Sequence, residues 1–186
     1  MNADEFWFLI DEAKSKSSKV ADIPKLVEKQ LFEPELEQIA DFAAWLTTYL
    51  NLAHDRRLLL AASIICGMIS DDSFTYFKCW LIAQGRSTFE RALRNPDSLA
   101  ELSSFSGQNG ELPLLENLLY VATKPFTEKS NGYSPGELEL ALPHWKAPVG
   151  TRLGRVPMAS GDFWDGDKRK LEVLFPMLLQ RFPQDK

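Results

Sequence analysis

Two adjacent acids, Asp71 and Asp72, begin the part of the sequence that is richest in side chains able to do chemistry. They follow Ser70 in the stretch SDDSFTYFKCWLIAQGR. Paired carboxylates can act as acid and base or hold a metal ion, but consecutive helix positions point about 100° apart and do not converge on one ligand. In the first turn of a helix capped by Ser70, both would instead face free backbone N–H groups and the positive end of the helix dipole. A capping role and a binding role both stay open for this pair.

Gln84 and Arg86 are the polar residues that close the same stretch. Gly85 between them predicts a left-handed residue that ends the helix. Arg86 is suited to bond helix carbonyls, to pair with an acid such as Asp71, or to bind an anionic partner. One hypothesis therefore places Asp71 or Asp72 in a ligand-binding cleft with Gln84, Arg86 and a tryptophan, near the start of this helix.

The residue types that bind metals are few. The sequence has two histidines, His54 and His144, and two cysteines, Cys66 and Cys79, with no zinc-site spacing among them. Both cysteines lie in apolar helical patterns and are interpreted as reduced core thiols, a disulfide or metal pair being the alternative. The acidic stretch 162–167 lacks the ligand pattern of a calcium loop and is interpreted as a solvated loop. We therefore assign no catalytic residue, no metal and no cofactor.

Two tryptophans, Trp145 and Trp164, lie where helical periodicity disappears. From 131 to 167 glycine and proline recur every few residues, which is typical of an irregular arm or loop. A tryptophan in such a segment either pins it to the body of the protein or remains exposed as an anchor for a partner. Both are candidate partner-binding residues, whereas Trp7 and Trp80 lie on apolar helix faces and are predicted to be core residues.

The elements that position these residues are predicted from apolar residues that recur every three or four positions. Helices are expected from the Asn2 cap to about Lys14, over Ala21–Leu31, from Pro34 to Ala53, over Arg57–Ile69, over Ser70–Gly85, and from a Ser87–Glu90 capping box to Leu93.

Further helices are predicted in the second half of the chain. They begin at Asn95-Pro96-Asp97, run over Leu114–Ala122 with an interruption at Pro125, and cover Leu171–Phe182 with a kink or split at Pro176. The stretch ELELAL (137–142) is compatible with a short strand. The predicted fold is mainly all-α: one compact multi-helix domain over 1–186, with the irregular segment 131–167 before the last helix.

The overall charge separates classes of partner. The chain of 186 residues has a net charge of −5, and its basic residues form no stripe, so nucleic-acid binding is disfavoured. No apolar run is long enough to span a bilayer, and the acidic N-terminal residues do not fit a signal peptide. We expect a cytoplasmic protein with neither nucleic acid nor membrane as partner. An acidic surface is compatible with a basic protein partner.

Three stretches together resemble a known family. FWFLIDEA (6–13), the segment 70–102 that contains WLIAQGR, and LEVLFPMLLQRF (171–182) are similar to the bacterial domain-of-unknown-function family four-two-four-zero (DUF4240). The resemblance implies a helical fold, found alone or attached to larger proteins labelled as molybdenum-metabolism regulators, and it brings no catalytic residues. Lys78 departs from the arginine that is common in this family.

Two functional hypotheses follow from these observations. The first is a non-enzymatic protein-binding module, regulatory or inhibitory in the manner of an immunity protein or antitoxin, because the sequence offers no recognisable catalytic set and has an acidic surface. The second is an enzyme or small-ligand binder that uses the cleft at the start of the Ser70–Gly85 helix.

Overall fold

A computed structural model describes residues 1–67, 69–103, 112–146 and 168–183. In these ranges the chain forms helices and turns without a strand, which confirms the all-α prediction. The single domain over 1–186 stays a prediction. The α-helices are α1 (Ala3–Ser15), α2 (Ile23–Gln30), α3 (Leu36–Leu52), α4 (Arg56–Cys66), α5 (Asp71–Ala83), α6 (Arg86–Arg94), α7 (Thr123–Lys129), α8 (Leu138–Ala141), α9 (Lys168–Leu174) and α10 (Pro176–Arg181).

Side-chain caps set the starts of several of these helices. At α1, Asn2 accepts a hydrogen bond from the Glu5 backbone N–H and the Glu5 carboxylate accepts one from Asn2, which forms a capping box. At α4, Asp55 accepts from two backbone N–H groups. At α5, the Ser70 hydroxyl accepts from the Ser73 N–H at 3.2 Å, as the sequence predicts. Such a cap stabilises a helix by about 1 kcal/mol.

Three predictions about the elements are wrong. Helix α3 begins at Leu36 and not at Pro34, because Glu35 supplies the cap together with Gln38. The expected helix 114–122 is instead a 3-10 helix over Glu116–Tyr120, followed by α7, whose first turn accommodates Pro125 because early N–H groups have no helical partner. The proposed strand 137–142 is helical in α8. Alternation of polar and apolar residues over six positions does not make a strand unless another strand pairs with it.

Aromatic rings from three helices meet at the centre of the core. Tyr49 of α3 contacts Phe6 and Trp7 of α1 and Phe89 of α6, with ring centroids 4.7 to 5.6 Å apart. Trp7 and Trp80 are buried, as expected. Each such ring pair adds about 0.5–1.5 kcal/mol beyond the burial of its area. This cluster fixes α1 against α3 and α6, next to the joint between α5 and α6.

The C-terminal helices dock through one buried acid. Asp97, 5% exposed in the 3-10 helix Pro96–Glu101, accepts hydrogen bonds from the backbone N–H groups of Met177 and Leu178 at 3.2 and 2.9 Å. It therefore caps α10 from elsewhere in the chain. The break between α9 and α10 lies at Phe175, which is buried, so the split predicted at Pro176 is confirmed.

Within the described ranges, no single helix combines the length and the apolar character that a membrane span requires. Helices α4 and α5 meet those criteria only when taken together, as a pair bent by 94°.

Candidate functional site

The predicted cleft residues lie at opposite ends of α5. Asp71 and Asp72 are exposed in its first turn, while Gln84 is its C-cap and Arg86 begins the next helix. Twelve residues of helix separate the two groups by roughly 18 Å. The hypothesis that these four residues line one cleft is therefore wrong, because the helix between them holds the two acids far from Gln84 and Arg86.

The joint at Gln84–Gly85 is held by two polar side chains of α1. The Lys14 ammonium donates to the Gln84 carbonyl at 2.6 Å, and an Asp11 carboxylate oxygen accepts from the Arg86 backbone N–H at 3.2 Å. One α1 side chain thus caps the end of α5 and another caps the start of α6, at the helix end that its charge favours. The capping box predicted at Ser87 is wrong, because Asp11 does this work from a distant part of the chain.

Gly85 is required at this joint for two reasons. Its φ of +86° with ψ of 165° lies in a region that is essentially restricted to glycine. A Cβ placed there would also lie 2.3 Å from the Asp11 carboxylate oxygen. Gln84 itself is buried, and its side-chain amide faces the carbonyl of Trp80 at 3.4 Å. Gln84 and Gly85 are therefore structural residues of the joint.

Arg86 has its charge paired within the protein. Its guanidinium donates to Glu90 at 2.8 Å along α6 and to Asp4 of α1 at 2.5 Å. Hydrogen bonds from Arg86 to Glu90 and Asp4 raise the pKa of the guanidinium further above its ordinary value. The acid that pairs with Arg86 is thus not Asp71, and the arginine serves to tie α6 to α1.

Trp145 pins the described part of the irregular segment to the body of the protein. It is partly buried, and its indole N–H donates to the Asp41 carboxylate of α3 at 2.8 Å. The second oxygen of Asp41 accepts from the Met1 amino group. Trp164 lies outside the described residues. Of the two interpretations of Trp145, the pinning one agrees with this geometry.

A buried amine lies beside His54. Lys78 of α5 is only 5% exposed. Its ammonium lies 3.4 Å from the Nδ1 of His54 and 5.1 Å from the centroid of the Phe74 ring. Burial lowers the pKa of Lys78 against the opposing effects of Cys79 and Asp71. Burial, followed by the Lys78 charge, lowers the pKa of His54. The pair links α5 to the turn between α3 and α4.

The two cysteines are free thiols. Burial raises the pKa of both Cys66 and Cys79 to about 12, so neither forms a thiolate near neutral pH. Among the described residues there is no cluster of three or more histidine, cysteine, aspartate or glutamate side chains placed to hold a metal ion.

The concave surface formed by the first three helices, which we call the α1 groove, offers more for binding than the end of α5. It has a volume of about 510 Å³. Its lining residues come from the N-terminus and α1, from the end of α2, from the turn after α2 and from the first turn of α3: Met1, Glu5, Phe8, Leu9, Glu12, Gln30, Glu33, Pro34 and Gln38.

The aromatic ring of Phe8 is the most unusual part of this groove. It is 64% exposed, although Phe6 and Trp7 just before it in the sequence are buried. Glu5 and Glu12 lie three and four residues away on the same face of α1, so an apolar surface is flanked by negative charge. A hydrogen bond from Lys16 at 2.8 Å is the main reason that the pKa of Glu12 is lowered.

The opposite side of the groove adds acceptors, and the Lys129 ammonium donates to the backbone carbonyls of Glu33 and Pro34 there. Gln30 donates its side-chain N–H to Glu12, and this contact orients the amide. The other amide atom, Oε1, is enclosed and has no hydrogen-bond donor among the described residues. Glu33 is exposed at the rim. Three of the nine lining side chains are glutamates and none is lysine or arginine, so the surface is complementary to a cationic, partly apolar ligand.

Sequence reasoning missed the groove residues. Phe8 follows two apolar residues in FWFL and is easily counted with the core. At 100° per residue, however, it lies about 200° from Phe6, on the face of Glu5 and Glu12. An aromatic residue set among acids on the polar face of an amphipathic helix is the signal that would have found this surface. Its opposite wall, around Gln30 and Glu33, requires knowing how α2 and α3 pack.

Comparisons with known proteins place the chain in a family. No curated protein and no solved structure matches the chain. A family model described as a protein of unknown function (DUF4240) matches residues 1–128. The matched segment contains α1 to α6, and therefore both the α5–α6 joint and the α1 groove. The protein is a member of the DUF4240 family.

Proposed function

We propose that this protein is a non-enzymatic protein-binding module of the cytoplasm, regulatory or inhibitory toward its partner, and that the α1 groove is its binding surface. The observation that carries the proposal is the exposed ring of Phe8 in a concave surface flanked by Glu5 and Glu12. Large aromatic side chains in pockets are the residues that contribute most to protein–protein affinity. The free thiols of Cys66 and Cys79 are compatible with a reducing compartment.

The polar residues elsewhere support a binding module more than a catalyst. Arg86 is paired with Asp4 and Glu90, and Gln84 is buried in the α5–α6 joint. The groove instead combines apolar surface with negative charge, and the whole chain carries a net charge of −5. A basic surface on another protein would be attracted to such a site and oriented by it.

A comparison of two exposed aromatic residues tests this proposal. Phe8 in the groove is 64% exposed and Tyr120, outside the groove lining, is 56% exposed. Tagged wild-type protein, Phe8→Ala and Tyr120→Ala are each used to capture partners from a lysate of the cells that make the protein, and the captured proteins are quantified by mass spectrometry.

Of the two aromatic residues, only Phe8 is expected to affect capture of the partner. A specific partner should be retained equally by wild type and Tyr120→Ala and should fall about tenfold or more with Phe8→Ala, as for a binding hot spot. Unchanged melting temperatures of both variants would show that the fold is intact. Equal capture by the two variants, or no specific partner with wild type, would contradict the proposal.

A further inference from the structure

We propose that the α1 groove receives a basic amphipathic helix of the partner, with cations seven residues apart and apolar side chains between them. This inference rests on the proposed function and names the chemistry of the segment that is bound. It is carried by the spacing, the charge and the shape of the groove.

The spacing along α1 favours a helical ligand. Glu5 and Glu12 are seven residues apart, two helical turns, and Phe8 and Leu9 lie between them on the same face. The two acids are therefore separated by roughly 10.5 Å along the axis. A second helix lying beside α1 repeats that distance between its own positions i and i+7. Same-face side chains of an extended strand recur at about 6.6 or 13 Å instead and fit the two acids less well.

The charges of the groove favour a cation. Its polar groups are the carboxylates of Glu5, Glu12 and Glu33 and the amides of Gln30 and Gln38, with no basic side chain in the lining. Lys16 pairs with Glu12, but this i,i+4 contact lies at the surface, where such pairs contribute little and exchange readily. A lysine or arginine of the partner can therefore take its place.

The apolar part of the groove sets how deeply a helix enters. Met1, Phe8, Leu9 and Pro34 provide the apolar lining, and the volume of about 510 Å³ is that of a small-ligand pocket. Such a space admits a few side chains but not a whole helix. One apolar stripe of the ligand enters, and its flanking cations stay at the rim beside the glutamates, which is the helix-in-groove mode of recognition.

The test uses three designed helical peptides of about 18 residues and equal helix content, length and label. The first has lysines at i and i+7 around leucines at i+3 and i+4; the second replaces the lysines by glutamates; the third keeps the composition of the first but breaks the leucine stripe. Binding is measured by fluorescence anisotropy at low and high salt with the full-length protein.

Two sets of charge variants have the same change in net charge. Glu5, Glu12 and Glu33, all changed to Gln, remove the groove acids, and Gln at position 5 keeps the capping box of α1. The matched control changes Glu101, Glu128 and Glu172 to Gln, which are exposed glutamates outside the groove lining. Phe8→Ala removes the apolar contact.

The proposal expects only the first peptide to bind well. Phe8→Ala and the groove triple variant should each weaken its binding by about tenfold, and the groove triple variant should also reduce the salt dependence. The control triple variant should change the affinity by less than about threefold, because distant exposed charges are screened.

Four results would overturn the inference: no binding of the first peptide up to about 1 mM, equal binding of the glutamate peptide, equal binding of the stripe-broken peptide, or equal weakening by both triple variants. A concentration-dependent dimer of the protein alone that Phe8→Ala abolishes would also overturn it, because the groove would then belong to a second copy. Phe8-dependent capture of a native partner together with any of these results would leave the proposed function standing and reject only the helical, basic ligand.

Discussion

Helix α1 uses the polar residues of two faces in different ways. Asp11 and Lys14 contact the α5–α6 joint, where their hydrogen bonds complete two helix ends. Glu5, Phe8 and Glu12 line an open groove: Glu5 completes the cap of α1 and Glu12 contacts Lys16 and Gln30, and between them the ring of Phe8 is exposed. The first face joins helices within the protein, and the second carries the binding surface that we propose.

The role of the first face depends on hydrogen-bond partners from a distant part of the sequence. The partners of Asp11 and Lys14 are 75 and 70 residues away in the sequence, so the sequence pattern alone places these side chains on a solvated face. The stretch WLIAQGR, which carries the family resemblance, is accordingly part of a packing joint. If this contrast is correct, changes on one face alter stability and changes on the other alter binding.

The largest effect separates two phenylalanines of α1. Phe6→Ala is expected to lower the free energy of unfolding by about 3–5 kcal/mol, because Phe6 is fully buried and its loss leaves a cavity. Phe8→Ala should change it by less than about 0.5 kcal/mol, because the ring is exposed. Urea denaturation followed by circular dichroism measures both. A Phe8→Ala variant as unstable as Phe6→Ala would place Phe8 in the core and remove the contrast.

The next effect concerns the joint itself. Gly85→Ala is expected to cost about 2–4 kcal/mol, since the variant has a strained backbone and its Cβ displaces the carboxylate of Asp11. Gly132→Ala is the matched control: its φ is +100°, but a Cβ there meets nothing within 4 Å, so only the backbone cost of about 1–3 kcal/mol applies.

A double-mutant cycle isolates the contact with Asp11. In an Asp11→Ala background, Gly85→Ala should be less destabilising than in the wild type, because the carboxylate that it displaces is already gone. Additive costs would show that Asp11 and Gly85 act independently and that the joint is weaker than its geometry indicates.

Smaller losses are expected from the two capping side chains. Asp11→Ala and Lys14→Met should each lower the free energy of unfolding by about 1 kcal/mol, because each leaves a helix end without a partner. Lys16→Met, at an exposed surface pair, should change it by less than about 0.5 kcal/mol. Neither Asp11→Ala nor Lys14→Met should alter capture of the partner more than threefold. A strong loss of capture with Lys14→Met would show that the two faces are not separate.

Local signals made much of the fold predictable. The caps at Asn2 and Ser70, the positive φ of Gly85 and the break near Pro176 are each determined by a few neighbouring residues. The start of α3 was misplaced by two residues because Pro34 also fits a first helical position. Such errors are typical of helix ends that are decided by side-chain caps.

The candidate site was much less predictable. The sequence drew attention to Asp71 and Asp72 because acids in pairs are a familiar sign of chemistry, but the length of α5 separates them from Arg86. The groove depends on how α2 and α3 pack against α1, and contacts between distant segments leave no periodic signal. The helical pattern of α5 likewise places Lys78 on the polar face of the helix, and only the tertiary packing shows that this lysine is buried.

The smallest predicted effect concerns a second internal polar contact, the one between Lys78 and His54. We expect this contact to affect stability but not binding. Burial and the Lys78 charge lower the pKa of His54 below its ordinary value of 6.5, with Asp71 opposing them. The unfolded chain therefore takes up a proton first as the pH falls, so stability is fully present above about pH 6.5 and decreases below it. His54→Gln should flatten this decrease in urea midpoints between about pH 7 and pH 5. Because the contact is internal, wild type and His54→Gln should bind the lysine peptide equally at each pH; an unchanged pH slope, or a binding difference, would contradict this division.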